Sequence, residues 1–358
     1  MVLCFWLSLM LWAPYGILEA RPALSDVHSS TDLLENVARR SRGESSPKPK
    51  SADLPESDKV DARIKRRNSL LHQISNVKAS IDDPDNASVT TSKKTNVLGN
   101  VFISVKTTRQ NHRVRLPAIL QTWFQLAREQ TYFFTDAEDA EVSRASGGHL
   151  VMTGCASGHT RQALSCKMNS EFDAFVLSAK EWWCHFDDDN YVNVVSLEKT
   201  LKSFNSSELW YLGRDSIRPT IDLTTKQWGD VRFRFATGGA GFCISRALAN
   251  EMKPHAFKGR LRELSEEIRL PDDVTVGFLV EVIVGAKLTA LPNFHSHLEE
   301  MLLIRKPLRN QISLSYNSKR KNFVPVEQLL PRDPTRFLSI HCEIFRELPT
   351  CKRFRRRR

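Results

Sequence analysis

The chain has 358 residues, room for one large domain or two small ones, and its hydrophobic fraction of 41% is ample for a packed core. The formal net charge is +11, but six of those charges sit in the terminal run Lys352, Arg353 and Arg355 to Arg358, leaving about +5 for the rest. That balance is too mild to imply nucleic acid, and no aromatic and basic residues interleave as an RNA-binding sheet requires.

Residues 1–18 carry no charged side chain; Glu19 and Arg21 end the run. This reads as a leader for the secretory route. It is at the short edge for a membrane span and is interrupted by Pro14. A signal anchor and a cleaved signal, with Leu18-Glu19-Ala20 as the cut site, both stay open. Residues 21–94 are rich in Ser, Asp, Lys, Arg and Pro and poor in aromatics, so they read as a stem unable to bury enough surface to fold. Within them, Arg63-Ile64-Lys65-Arg66-Arg67 is either a processing site or a solvated charge run. Asn86-Ala87-Ser88 and Asn205-Ser206-Ser207 are glycosylation acceptors if exposed in the secretory lumen. The folded domain is expected over residues 95–351, followed by a basic tail at 352–358.

Cys4 lies in the leader. The other six cysteines contain no Cys-x-x-Cys pair, which argues against structural zinc. An even set behind a leader reads as three disulfides in an oxidising compartment. Pairing close neighbours gives Cys155 with Cys166 and Cys342 with Cys351. Cys184 then pairs with Cys243, although sequence alone leaves every pairing of the six open.

Ordered structure is expected from Val97. Val101 to Val105 has a buried-strand pattern, with Lys106-Thr107-Thr108 at its carboxyl end. His112-Arg113-Val114-Arg115 leads into a helix with an apolar face of Leu116, Ile119, Leu120 and Trp123. Pro117 is tolerated there because it falls in the first turn. Further strands are expected at Tyr132–Thr135 and Leu150–Met152. A helix with apolar residues near Leu164, Met168, Phe172, Phe175 and Val176 follows. Strands alternating with helices argue for an α/β fold with a mostly parallel sheet flanked by helices.

The centre of the chain reads Cys184-His185-Phe186-Asp187-Asp188-Asp189-Asn190-Tyr191-Val192. Three carboxylates thus end an apolar strand, where ligands gather in an α/β sheet. Strand alternation predicts Asp187 and Asp189 on one side and Asp188 on the other. Burying like charges together is expensive unless a cation or hydrogen-bond donors offset it. Oxygen ligands with space for phosphate point to magnesium or manganese. The alternative is a solvated acidic turn with Asn190 as a helix cap.

Beyond lie the apolar run Leu209–Leu212 and the segment Phe235-Ala236-Thr237-Gly238-Gly239-Ala240-Gly241-Phe242-Cys243. Its glycines allow close approach to a ligand, but it lacks the dinucleotide fingerprint and the P-loop Lys-Ser/Thr. Leu270-Pro271-Asp272-Asp273-Val274-Thr275 precedes an apolar helix from Val276 to Val284. One of its aspartates is expected to cap that helix and the other to face a cleft. In Phe294-His295-Ser296-His297, the two histidines would share one side if extended, one free to ligate a metal and the other packed.

These segments together resemble the Fringe glycosyltransferases. The supporting runs are Val105-Lys106-Thr107-Thr108, His112-Arg113-Val114-Arg115, Arg161-Gln162-Ala163-Leu164-Ser165-Cys166-Lys167 and Ser339-Ile340-His341-Cys342. The resemblance covers about residues 97–351. It implies a GT-A type fold and a manganese-dependent, inverting transfer of N-acetylglucosamine. The donor would be UDP-N-acetylglucosamine and the acceptor an O-linked fucose on EGF-like repeats of Notch receptors, joined by a β-1,3 bond. It also implies a type II anchor in the Golgi membrane. By resemblance, Asp189 and His297 stand at the metal, Asp188 and Arg115 at the donor, and Asp273 is the base. Val274 stands where the family commonly has cysteine, and Arg234 where it commonly has an aromatic. Two rivals are a related β-1,3-glycosyltransferase with another acceptor and a non-catalytic secreted binding protein that uses the basic tail.

Overall fold

The computed structural model describes residues 98–216, 220–304, 307–329 and 333–355. The expected leader, stem, Arg63–Arg67 run and Asn86 acceptor lie outside them, as do the side chains of the terminal arginines. Among the described residues no helix is long and apolar enough to cross a membrane.

Strand β1, Val101–Lys106, is buried at every position, as a central parallel strand must be. Helix α1, Leu116–Gln121, carries Pro117 in its first turn and buries Leu116, Ile119 and Leu120. Strand β2 is Thr131–Thr135. Helix α2, Ala140–Ser146, is capped by the Asp139 carboxylate and ends on Gly147 at φ 71°. Strand β3 is Leu150–Met152. Helix α3, Arg161–Leu177, starts at Thr160, whose hydroxyl accepts the Ala163 N–H. It leads to β4, Trp182–Asp187, the acidic strand. The short strand β5, Tyr191–Val192, and α4, Val194–Leu201, capped by Asn193, follow.

Strand β6 is Tyr211–Gly213. A separate antiparallel hairpin is formed by β7, Ile221–Thr225, and β8, Gly229–Phe233. Then come β9, Phe242–Ser245, and helices α5, Arg246–Ala256, and α6, Arg260–Ile268. Helix α7, Asp272–Phe278, continues into a π-helical turn at Leu279–Val284. Strands β10, Leu288–Ala290, and β11, Ser313–Leu314, precede helices α8, Phe337–Ile344, and α9, Pro349–Arg355.

The main sheet has seven strands in the order β10-β6-β9-β4-β1-β2-β3. Strands β1, β2, β3 and β4 pair in parallel, as do β6 and β10. Only β9 runs against its neighbours β4 and β6. The expected mostly parallel sheet is therefore present, with one reversed strand. Cys184 lies opposite Cys243 in the β4–β9 register, and the two are disulfide-bonded. The other bridges join Cys155 to Cys166 and Cys342 to Cys351, as the spacing suggested.

Candidate active site

Asp188 and Asp189 are buried and Asp187 is partly buried, which removes the solvated-turn alternative. Strand β4 ends at Asp187, and Asp188 and Asp189 lie in the turn beyond it. The expected alternation therefore fails: a turning backbone does not keep the two-residue period. Asp188 and Asp189 face the same partner, Arg115, at 2.7 and 3.3 Å. Asp187 instead faces Lys106 at 3.3 Å and the His185 ring at 3.6 Å. Asn190 caps no helix. Its side-chain oxygen accepts the Asp187 N–H, and its amide donates to the Gly239 carbonyl at 2.9 Å. It thus closes the acidic turn onto the glycine-rich segment.

Asp188 is held by three donors. Arg115 bonds one oxygen, and Thr107 (2.7 Å) and Asn111 (2.8 Å) bond the other. An ionised carboxylate has about four acceptor positions, so one remains for a ligand hydroxyl. Asp189 is different. Its Oδ1 is buried without a hydrogen-bond partner, and its Oδ2 lies 3.6 Å from Nδ1 of His297. That imidazole nitrogen is also buried and unpartnered. Burial, followed by the opposing pulls of Arg115 and His297 against Asp187 and Asp188, pushes the Asp189 carboxyl up to about 6.

The two histidines separate, since residues 294–296 form no strand. His295 is packed, bonded to Gln311 at 2.8 Å and Glu299 at 3.2 Å. His297 turns to Asp189. Oxygen and imidazole donors with orphaned lone pairs fit a divalent metal ion. Among the described residues, no group of three or more His, Cys, Asp or Glu side chains is arranged for a metal. Two such donors would leave the remaining positions of an ion to phosphate and water, as hard divalent ions prefer.

Neither aspartate of the Leu270–Thr275 run caps α7. The cap position is Pro271, and both lie inside the first turn. They diverge there because Asp272 is drawn to Lys106, with Nζ at 2.6 Å from its carboxylate. Asp273 accepts the N–H of Gly238 at 3.0 Å and that of Val274 at 2.8 Å. Burial first, and the charge of Asp272 second, push its carboxyl up to about 6.

The glycine segment lies between the two halves of the site. A Cβ on Gly238 would stand 3.3 Å from Asp273 Cβ and 3.6 Å from His185 Nε2. One on Gly239 would stand 3.5 Å from the His297 ring. Adjacent glycines thus let the base candidate and the metal candidate approach one backbone turn. Arg234, the departure beside this segment, donates to the Leu288 carbonyl (3.0 Å) and to Asp215 (3.4 Å). Val274, the other departure, is buried.

Sequence reasoning assigned no role to Lys106, Asn111, Lys167, Glu171 or His185, and gave Asp272 at most that of a helix cap. Glu171 and Lys167 lie on the buried face of α3. Glu171 accepts from Ser104 and from the His185 ring, both at 2.6 Å. Lys167 donates to Asp136 (2.6 Å) and to the Thr107 carbonyl (2.9 Å), fixing the loop that carries Asn111 and Arg115. The available signal was their spacing: charged residues at 167 and 171 share one helical face.

Residues 96–348 match a family profile described as Fringe-like. The Fringe glycosyltransferase of Drosophila melanogaster is 46% identical over 71% of this chain, which spans 64% of that protein's length. The β-1,3-N-acetylglucosaminyltransferase radical fringe of Notophthalmus viridescens is 45% identical over 74% of this chain and 69% of its own. The lunatic fringe enzyme of Danio rerio is 44% identical over 70% of both. Among solved structures, a galactosyltransferase bound to donor and acceptor sugar analogues is 12% identical over 70% of this chain and 99% of that one, at a TM-score of 0.38. With the family profile and relatives above 40% identity agreeing over the folded region, the chain belongs to the Fringe family of glycosyltransferases.

Proposed function

We propose that the chain is an inverting, manganese-dependent glycosyltransferase. It moves N-acetylglucosamine from UDP-N-acetylglucosamine to O-linked fucose, through a β-1,3 bond, on EGF-like repeats of Notch receptors. The observation that carries this reading is the meeting of two half-sites across the glycine segment. Unpartnered atoms of Asp189 and His297 lie on one side and Asp273 on the other. The β-1,3-N-acetylglucosaminyltransferase activity named for the radical and lunatic fringe relatives supports the transferred sugar and the linkage. Three disulfides support a compartment of the secretory route, for which we propose the Golgi lumen with residues 1–20 as leader or anchor.

Asp189 and His297 would hold the ion, which supplies positive charge against the phosphates of the departing diphosphate. Arg115, half-buried and already directed at Asp188 and Asp189, has further donors on its planar fork for phosphate or uracil. Asp188 orients that guanidinium and keeps an acceptor position for a donor hydroxyl. Asp273 takes the proton from the fucose 3-hydroxyl as that oxygen attacks the sugar carbon opposite the leaving group. The Gly238 N–H bond holds the Asp273 carboxylate in place before the acceptor arrives.

Donor and acceptor profiling of the full chain tests this reading. Transfer is expected from UDP-N-acetylglucosamine to an O-fucosylated EGF repeat, and not to the unmodified repeat. Preference for another UDP-sugar, or equal transfer to the unmodified repeat, would replace the donor or the acceptor proposed.

A further inference from the structure

A line of side chains of alternating charge, buried except at the partly exposed Asp187, runs beneath the site: Glu171, His185, Asp187, Lys106, Asp272. Successive members are 2.6, 3.6, 3.3 and 2.6 Å apart. It joins α3, β4, β1 and the first turn of α7. Lys106 is its hinge member. It is the last residue of β1, only 8% exposed, and its ammonium touches carboxylates from two other elements. Resting on the reading of Asp273 as base, we propose that Lys106 is a positioning residue. It clamps the first turn of α7 to the end of β4 and so fixes where Asp273 stands relative to the acidic turn.

The geometry supports this in three ways. First, the N-cap residue of α7 is Pro271, which offers no side-chain cap, so the ion pair at Asp272 fastens that helix start. Second, Asp272 and Asp273 are consecutive in that turn, and a shift of one carries the other. Third, Asp187 immediately precedes Asp188 and Asp189, so the same ammonium that holds Asp272 also holds the root of the acidic turn. The spacing between the two half-sites is therefore set by this buried ammonium together with the path through the glycine segment, in which the Asn190 amide bonds the Gly239 carbonyl and the Gly238 N–H bonds Asp273. Neither half-site contacts the other by a hydrogen bond between Asp273 and the acidic triplet among the described residues. Misplacement of a reacting group by about 1 Å can cost on the order of 100-fold in rate.

The groups facing Asp273 give this clamp a signature. They are Asp272 on its own helix, Lys106 from β1, the Tyr211 hydroxyl from β6 and, across Gly238, His185 from β4. Removing the Lys106 cation makes Asp273 harder to ionise; removing the Asp272 anion makes it easier. The test uses Lys106→Met and Asp272→Ala in the full chain. It measures kcat, calorimetric affinity for UDP with Mn2+, and the pH profile of kcat. Both variants are expected to lose on the order of 10- to 100-fold in kcat with UDP affinity kept. The acid limb should move to higher pH in Lys106→Met and to lower pH in Asp272→Ala. A limb that stays in place, or kcat at the unsubstituted level, overturns the clamp. If Lys106→Met does not fold, Asp272→Ala decides alone by the same two readings. Asp273→Asn separates the assumptions. Unchanged turnover there refutes the base, whereas its loss with unmoved limbs in the other two refutes only the clamp.

Discussion

At the scale of single residues, the account rests on Asp273 and on the Asp189–His297 pair. Burial holds the Asp273 carboxyl near 6, close to where a general base is most useful. A base must be ionised, so with Asp273 as the proposed base, turnover should rise with pH through about 6 and level off above it. Asp273→Asn is predicted to lower kcat by about 10²- to 10⁴-fold while UDP binding survives, as single-turnover kinetics and calorimetry would show. Asp189→Ala should do the converse and weaken Mn2+ and UDP binding together, measured by the same calorimetry. Retained UDP affinity in that variant would remove Asp189 from the donor side. The carboxylate triplet after a buried strand and the paired aspartate at a helix start were legible because their types break the apolar pattern around them; the choice of Asp189, His297 and Asp273 came from the resemblance to the family. Lys106 and Glu171 were not legible. A lysine ending a strand or a glutamate within a helix ordinarily reaches solvent, and only the packing of α3 against β1 and β4 buries these two.

At the scale of elements, the glycine-rich segment is the part that sequence reading undervalued. Gly241 has φ 83°, and a Cβ there would fall 2.3 Å from the Phe186 ring. Gly241→Ala is therefore predicted to destabilise the fold by at least about 2 kcal/mol, seen as a lower melting temperature. Gly238→Ala meets Asp273 Cβ at 3.3 Å as its tightest contact, so it should fold but lose kcat as the proposed base is pushed aside. A melting temperature for Gly241→Ala equal to the unsubstituted chain would contradict the close packing on β4. The order of strands and helices was readable from apolar runs and their spacing. The side-to-side placement of Asp187, Asp188 and Asp189 was not, because no residue in the run announces that β4 stops at Asp187. The aspartate cap of α7 failed for a related reason: Lys106, distant in sequence, competes for Asp272 more strongly than the helix N–H groups do.

At the scale of the whole molecule, stability should depend on pH through groups remote from the reaction. Asp173 on α3 is pushed up to about 7, by burial first, against hydrogen bonds from the Lys258 N–H and Asn169. A carboxyl whose folded value is raised contributes stability below its unfolded value of 3.8 and loses it as pH rises through about 7. Melting temperature is thus predicted to fall between about pH 4 and 7 from this group, and Asp173→Asn should flatten that slope. The Cys184–Cys243 bridge spans 59 residues and ties β4 to β9, so replacing both by Ala should cost about 2–4 kcal/mol in a denaturant titration.

The most direct measurement of the proposed chemistry is mass spectrometry of an O-fucosylated EGF repeat incubated with the full chain, UDP-N-acetylglucosamine and Mn2+. The account predicts a gain of one N-acetylhexosamine with the unsubstituted chain and none with Asp273→Asn over the same time. An unchanged mass with the unsubstituted chain, or an equal gain with both proteins, would contradict it.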